Sequence, residues 1–491
     1  MQKSLLAILS ACFLTFQAQA EPWAGPGDTR LRNDLQLLDD SGVIDVPLTA
    51  WPMAWGDIYS SLRDIQVSEL SPDVRMAYNR VRRLARDEVG DGSAILELSA
   101  AGAGNPRVLR SFEDTPREDA EAVAGISWVG ERFAIKLRGT YVNDPVDGDE
   151  FRPDGSYVGM ALGNWMLSAG WQERWWGPGR DSSMILSTNA RPPPSIGIQR
   201  IGSLPSESKW FRWMGPWTLS SFFGLLDDER VVKDGVLFGM RFSMRPLDGL
   251  EIGLSRTAQM CGEGRKCDLE ILLNMLRGKD NVGANVNPDE EPGNQLGGID
   301  MRWRLPKRIP VALYMQWIAE DTRDTGGSLH QWLRQVGIEY WGSIGGVTHR
   351  THLEIGDTLA RGGGLGEGAP WPNSAYNHFI FQTGYRYNGR SLGHSMDGDG
   401  LSYSIGSTLV QSAGHTWNLS LRYMEINRSG APDTFHTLSP TPQDFMDIQL
   451  SYERLTGFGR IYAGIGYSTL DDEVSGTTTS DSIAFLRWSL N

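Results

Sequence analysis

From residue 94 to the C-terminus the chain repeats one pattern: short segments in which apolar and polar side chains alternate with period two. Successive side chains of a strand face opposite sides, so this alternation marks strands lying between two unlike environments. In Phe133–Tyr141 the residues Phe133, Ile135, Leu137, Gly139 and Tyr141 share one face, and Lys136, Arg138 and Thr140 the other. The style begins at Ile95–Ala100. It returns in Val311–Ile318, Val336–Trp341, Phe379–Tyr387, Trp417–Met424, Ile448–Tyr452, Ile461–Tyr467 and Ile483–Leu490. Residues 94 to 491 hold about eighteen such segments, or about 22 residues for each strand with its connection. Transmembrane barrel strands of about 9–11 residues, joined by short turns at one end and long loops at the other, fit this spacing. Soluble sandwiches turn every 8–12 residues or so.

The expected fold is therefore an all-β transmembrane barrel of about 18 antiparallel strands. Gly130-Glu131, Pro246-Leu247-Asp248-Gly249 and Ser412-Ala413-Gly414 read as short periplasmic turns, and 259–296 and 427–443 as extracellular loops. Ala484, Leu486, Trp488 and Leu490 share a face of the last strand, whose closure against the first would remove the open edge. The alternation of short and long connections breaks in 175–216 and again near 388–399. Past the N-terminus no run approaches the roughly 18–20 apolar residues of a membrane helix, and the mean hydropathy of −0.33 suits a barrel with a polar lumen.

Residues 28–90 have helical period instead. Leu31, Leu35 and Leu38 recur at i, i+4, i+7, as do Ile58, Leu62 and Ile65. Ser71-Pro72 opens a third helix with Val74, Ala77, Val81 and Leu84 on one face. Its cluster Arg80, Arg82, Arg83 and Arg86 reads as a solvated face. The layout is a signal peptide at 1–20, a small N-terminal α-helical bundle at 21–90, placed in the periplasm, and an outer-membrane β-barrel at 91–491. Lys3, the apolar Leu5–Phe16 and Ala18-Gln19-Ala20 carry the secretory signal. Leu9-Ser10-Ala11-Cys12 also has the form of a lipoprotein box, but the apolar stretch runs on past it. Export favours a disulfide between Cys261 and Cys267, the two cysteines left after cleavage.

The densest chemistry lies between Trp171 and Trp217, where six of the 18 tryptophans fall. Six basic groups face three acidic ones in this window, against a net charge of −14 for the chain. Indole rings pack on the apolar faces of pyranoses, and arginine forks match carboxylates. Arg174, Trp175, Trp176, Arg191 and Arg200 are thus candidate ligands of an acidic polysaccharide, with Arg390 and His394 behind them. The competing reading is interfacial tryptophans plus lumen arginines, as in porins. Trp176→Ala and Arg191→Ala are each expected to weaken glycan retention without unfolding the barrel. The acidic balance argues against nucleic acid.

Several motifs in order resemble the Wzi family of outer-membrane capsule-assembly proteins. They are Leu31-Arg32-Asn33-Asp34-Leu35-Gln36-Leu37-Leu38, Gly42-Val43-Ile44, Trp51-Pro52, Trp175-Trp176-Gly177-Pro178, Asn189-Ala190-Arg191-Pro192 and Gly384–His394. The resemblance covers essentially the full mature chain. It implies an eighteen-stranded barrel with a periplasmic helical bundle, which holds capsular polysaccharide or exopolysaccharide at the cell surface, lectin-like and without chemistry. Outer-membrane lipid and other polysaccharide-export components are the further expected partners, with no cofactor.

Enzyme signals are weak. His349 and His352 fall on opposite faces of a strand, which is poor ligand geometry. His394 with Ser391 and Asp397 imitates a triad by type only. Asp397-Gly398-Asp399 and Asp289-Glu290-Glu291 offer calcium-like oxygens but read as turns, and no metal site is assigned. The alternative to the lectin is a substrate-selective, porin-like channel, which a helical head seated in the barrel mouth would oppose.

Overall fold

The computed structural model describes residues 21–89, 92, 94–276, 293–306, 308–322 and 329–490. The expected signal peptide and Asp289-Glu290-Glu291 lie outside these residues. Among the described residues, eighteen antiparallel strands from Ala94–Gly104 to Thr477–Leu490 close into one barrel. One strand is broken: Phe151–Arg152 and Tyr157–Leu162 both pair with Phe133–Asn143. Closure comes from Ala484–Leu490 pairing with Leu98–Gly104.

The barrel is inside out relative to a soluble protein. Phe133, Leu137 and Tyr141 are about half exposed on the outer face, whereas Lys136 and Arg138 turn inward to Glu97. An apolar outer belt has no solvent other than lipid that suits it. Trp128, Trp165, Trp217, Trp303, Trp417 and Trp488 lie on the outer face at one end of their strands. Tyr141, Tyr403 and Tyr423 lie towards the other end. These are the aromatic girdles of a membrane barrel.

At the tryptophan end the strands join through turns such as 130–132, 163–164, 248–249, 345–346, 412–415 and 457–458. At the other end the connections are long, including 105–119, 171–194, 362–400 and 427–442. Each stretch where the alternation failed overlaps a single connection that folds into the lumen, 171–194 or 362–400, and 175–216 also holds a sixteen-residue connection, 201–216, at the short-turn end. The cores of the two inward connections have Met184, Ile185, Tyr376 and Tyr385 packed together out of solvent.

The helical head sits at the short-turn end. Asp28 accepts a hydrogen bond from Leu31 N (2.8 Å) to open helix α1 (Thr29–Asp40). Helix α2 (Trp55–Ser61) stops before Leu62 and Ile65, shorter than its periodicity suggests, and Asp64 follows in the left-handed region (φ 60°). Pro72 is the first residue of helix α3 (Pro72–Val89), which buries Val74, Ala77, Tyr78, Val81 and Ala85. Arg80 is not simply solvated, because its fork binds both Asp34 oxygens at 2.7 Å.

Helix α1 is buried on every side from Leu31 to Asp40. Its leucine stripe meets the other helices, and its acidic end enters the barrel. Asp40 accepts from Arg302 (2.9 and 3.0 Å) and Arg350 (2.7 Å). Glu339 accepts from Arg180 (2.7 Å), Arg302 (2.9 Å) and Arg350 (2.8 Å). Buried charges persist only when paired and hydrogen-bonded, so this cluster locks the head to the barrel wall. The head thus occupies the barrel mouth, the arrangement that opposes an open channel.

Candidate functional site

The 171–194 connection leaves the ladder, so its backbone groups need other partners. Wall side chains supply them. Gln316 donates to Trp176 O (2.9 Å) and accepts from Met184 N (2.7 Å). Glu354 accepts from Arg180 N (2.8 Å) and Ser182 N (3.2 Å). From the head, Arg32 donates to Pro178 O (2.7 Å) and Gly179 O (2.9 Å). Gly177 has φ 135°, and an added Cβ would lie 2.6 Å from Gln316 Nε2, so the loop passes too close to the wall for a side chain there.

This packing corrects the reading of the basic aromatic island as one surface. Trp175 and Trp176 are each 1% exposed. Trp175 pairs with Trp51, packs edge-on against Phe112 at 5.3 Å and donates to Gly179 O. Trp176 packs edge-on against Phe222 at 5.7 Å. As the rings stand, neither offers a face to a sugar. Arg174 lies 4.0 Å over Phe222 and donates to Ser195 Oγ (3.1 Å), outside the cavity that the long loops line. Arg200 stacks 3.8 Å over Trp217, at the short-turn end of the outer face. His394 is fully buried in the lumen, where its Nδ1 accepts from Met396 N.

Only Arg191 and Arg390 come together. Both line an open cavity of about 640 Å³, built by six long loops that include 105–119, 144–156 and 427–442. Seven arginines and five carboxylates line it, a balance of +2 in an acidic chain. Most of these cations are already spoken for. Arg107 binds Asp447 with both forks at 2.7 Å. Arg152 binds Glu118 (2.6 Å) and Asp147 (2.8 Å), and Arg386 binds Asp397 (2.8 Å twice). Arg191 binds Asp147, Asp149 and Asp154 at 2.7–3.1 Å, so it is neutralised within the protein.

Arg390 differs. It donates to Val108 O and forms no ion pair among the described residues. Burial, with Arg117 nearby, lowers its pKa, although the Glu118 and Asp147 carboxylates act against the shift from a distance. Arg117 donates to the carbonyls of Thr188 (2.8 Å) and Asn189 (3.0 Å), with Glu173 at 3.6 Å. Tyr387 and the part-exposed Phe435 line the same cavity, beside the amide of Asn388. Sequence reasoning missed Arg117, Tyr387 and Phe435, which lie far apart in the chain. The Asn388-Gly389 hairpin signal could have found Tyr387 beside Arg390.

The other weighed sites are closed. The His349 and His352 side chains do face opposite ways, His349 beside Tyr340 on the outer face and His352 against Gly406 inside. Asp397 is taken by Arg386 and Thr437, and Asp399 by Asn373 N and Ser429. Among the described residues no group of three His, Cys, Asp or Glu could hold a metal. Cys261 and Cys267 are bonded at the base of the long 261–294 connection.

The sequence profile of the capsule assembly protein Wzi matches residues 92–472. An uncharacterised 55.8 kDa protein in the cps region of Klebsiella pneumoniae is 30% identical over 446 residues, covering 90% of this chain and 84% of that one. Among solved structures, Wzi of Escherichia coli, an outer-membrane carbohydrate-binding β-barrel involved in group 1 capsule assembly, superimposes with a TM-score of 0.80 at 25% identity. That match covers 95% of this chain and 99% of the other. With a family match over most of its length, this chain belongs to the Wzi family of outer-membrane capsule assembly proteins.

Proposed function

We propose that this protein is a non-enzymatic, lectin-like anchor that binds capsular polysaccharide or exopolysaccharide at the long-loop end of the barrel. One observation carries the reading: Arg390 is a cation without a carboxylate partner, set beside Tyr387 and Phe435 in a cavity shaped by six loops. Aromatic faces can take the C–H side of sugar rings while the guanidinium meets a uronate or other acidic substituent. The solved Escherichia coli relative is itself a carbohydrate-binding barrel, which supports the ligand class. By the usual polarity of such barrels the short-turn end and its helical head are periplasmic and the cavity extracellular. In this orientation the glycan is held outside while the head remains available to export components.

The test is titration of the purified full-length barrel with acidic polysaccharide from its own host across a salt series. Saturable binding that weakens with salt supports the reading, as does its loss in Arg390→Ala with the fold intact. Equal binding by wild type and by Arg390→Ala with Phe435→Ala would remove this cavity from the function.

A further inference from the structure

The 201–216 connection stands apart from its neighbours. It lies at the short-turn end, where other turns such as 163–164 and 248–249 span two residues, yet it runs for sixteen. Its Leu204, Trp210, Phe211 and Trp213 are 54–75% exposed, with Lys209 and Arg212 exposed between them. An unused aromatic cluster of this size is costly in water and marks a contact surface.

The loop is held in place rather than loosely hung. Phe211 N and Arg212 N donate to Ser208 O (3.0 and 2.9 Å), and Met214 N to Phe211 O (3.1 Å), making a compact turn that ends in the 3-10 segment Arg212–Met214. Its entry is tied to the neighbouring turn by Asn164 and Gly202 (3.0 Å), and to the head by Ser203 N donating to Asp57 (2.9 Å). Its base is the outward-facing stack of Arg200 on Trp217, part of the tryptophan girdle.

We propose that this connection is a membrane foot, which seats Trp210, Phe211 and Trp213 in the headgroup region of anionic phospholipid at the short-turn end of the barrel. Two features select lipid as the occupant. The first is continuity: the loop springs from the level at which Trp165 and Trp217 already mark the interface, below the exposed Ile196 and Ile198 of the lipid-facing belt. The second is charge. Lys209 and Arg212 against Glu207 leave the turn at +1 in a chain of −14, the sign that an anionic headgroup attracts. The foot and the Asp57 contact together would fix the head's height against the bilayer.

The experiment reconstitutes the full chain into vesicles of phosphatidylcholine and phosphatidylglycerol whose acyl chains carry bromine near the headgroup. Tryptophan emission of wild type is compared with W210F/W213F, exposed changes that keep an apolar ring and leave the barrel intact by its heat-dependent electrophoretic shift. The emission lost between the two reports the pair. Bromine quenching of more than half of that emission, with little quenching by aqueous iodide, is the expected result. Stronger bromine quenching with phosphatidylglycerol than with phosphatidylcholine alone is expected from the two cations. Emission quenched by iodide and untouched by bromine overturns the proposal and leaves the face to a periplasmic protein. Equal quenching in both lipids overturns the anionic preference.

Discussion

Tyr387 and Arg390 are cross-strand partners in a hairpin whose turn is Asn388-Gly389, with φ of 45° and 69°. Two successive positive φ values define the tight turn that Asn-Gly favours, and partners across it share a face. An aromatic ring and a guanidinium without an ion-pair partner among the described residues are thereby presented side by side to the cavity. Arg390→Ala should lower polysaccharide affinity about tenfold, the effect of losing about 1.4 kcal/mol from a charge-assisted contact. Arg390→Lys, which keeps the charge but loses the fork, should fall between the two. Calorimetric titration of the three proteins at one salt concentration checks this ordering.

Arg191→Ala should weaken binding for a different reason. Its loss leaves Asp149 and Asp154 without their arginine and Asp147 with Arg152 alone, and these carboxylates then repel an acidic glycan. Salt screens repulsion, so binding by this variant should recover partly as salt rises while wild-type binding falls. Parallel salt slopes in the two proteins would contradict that role.

The barrel was legible because alternation and spacing are properties of local sequence: Phe133–Tyr141 showed its lipid face residue by residue. The cavity was not. Trp175-Trp176 carries the composition of a sugar platform, yet its environment is set by Trp51, Phe112 and Phe222, which reach it only through the closed barrel. Arg191 and Arg390 look alike in sequence and differ because three distant aspartates converge on one of them. Ion pairing over such separations is a tertiary fact. The inward turn of 171–194 left only an indirect trace, the broken alternation of short and long connections.

Trp176→Ala is therefore expected to act on packing first. Removing a fully buried indole costs about 3–5 kcal/mol and would loosen the loop that Gln316 holds. Limited proteolysis should cut the variant within 171–194 under conditions that leave wild type whole, with the barrel strands protected. A glycan-binding loss without increased cleavage would instead return this ring to the ligand.

The lumen should conduct poorly while α1 is seated. Asp40→Asn leaves Arg302 and Arg350 short of a counter-charge, and breaking a buried pair of this kind costs about 3–5 kcal/mol. Planar-bilayer recordings should show small, rare openings for wild type and longer ones for the variant. Large steady conductance in wild type would revive the porin reading.

Glu88, on the last turn of α3, supplies a pH test of the head. It is 5% exposed, its Oε2 lacks a hydrogen-bond partner, and burial with the nearby Glu21 carboxylate pushes its pKa up to about 9 from an ordinary 4.5. The folded state thus holds a proton that the unfolded chain releases above pH 4.5 or so. Stability from this group is complete below that pH and is lost as pH rises towards 9, by at most about 1.4 kcal/mol per pH unit. Glu88→Gln cannot ionise and should flatten the decline. Unfolding of the head, followed by protease susceptibility of 72–89 from pH 5 to pH 9, should separate the two proteins increasingly towards the alkaline end. Identical pH profiles would mean that Glu88 ionises in the folded head at its ordinary pH.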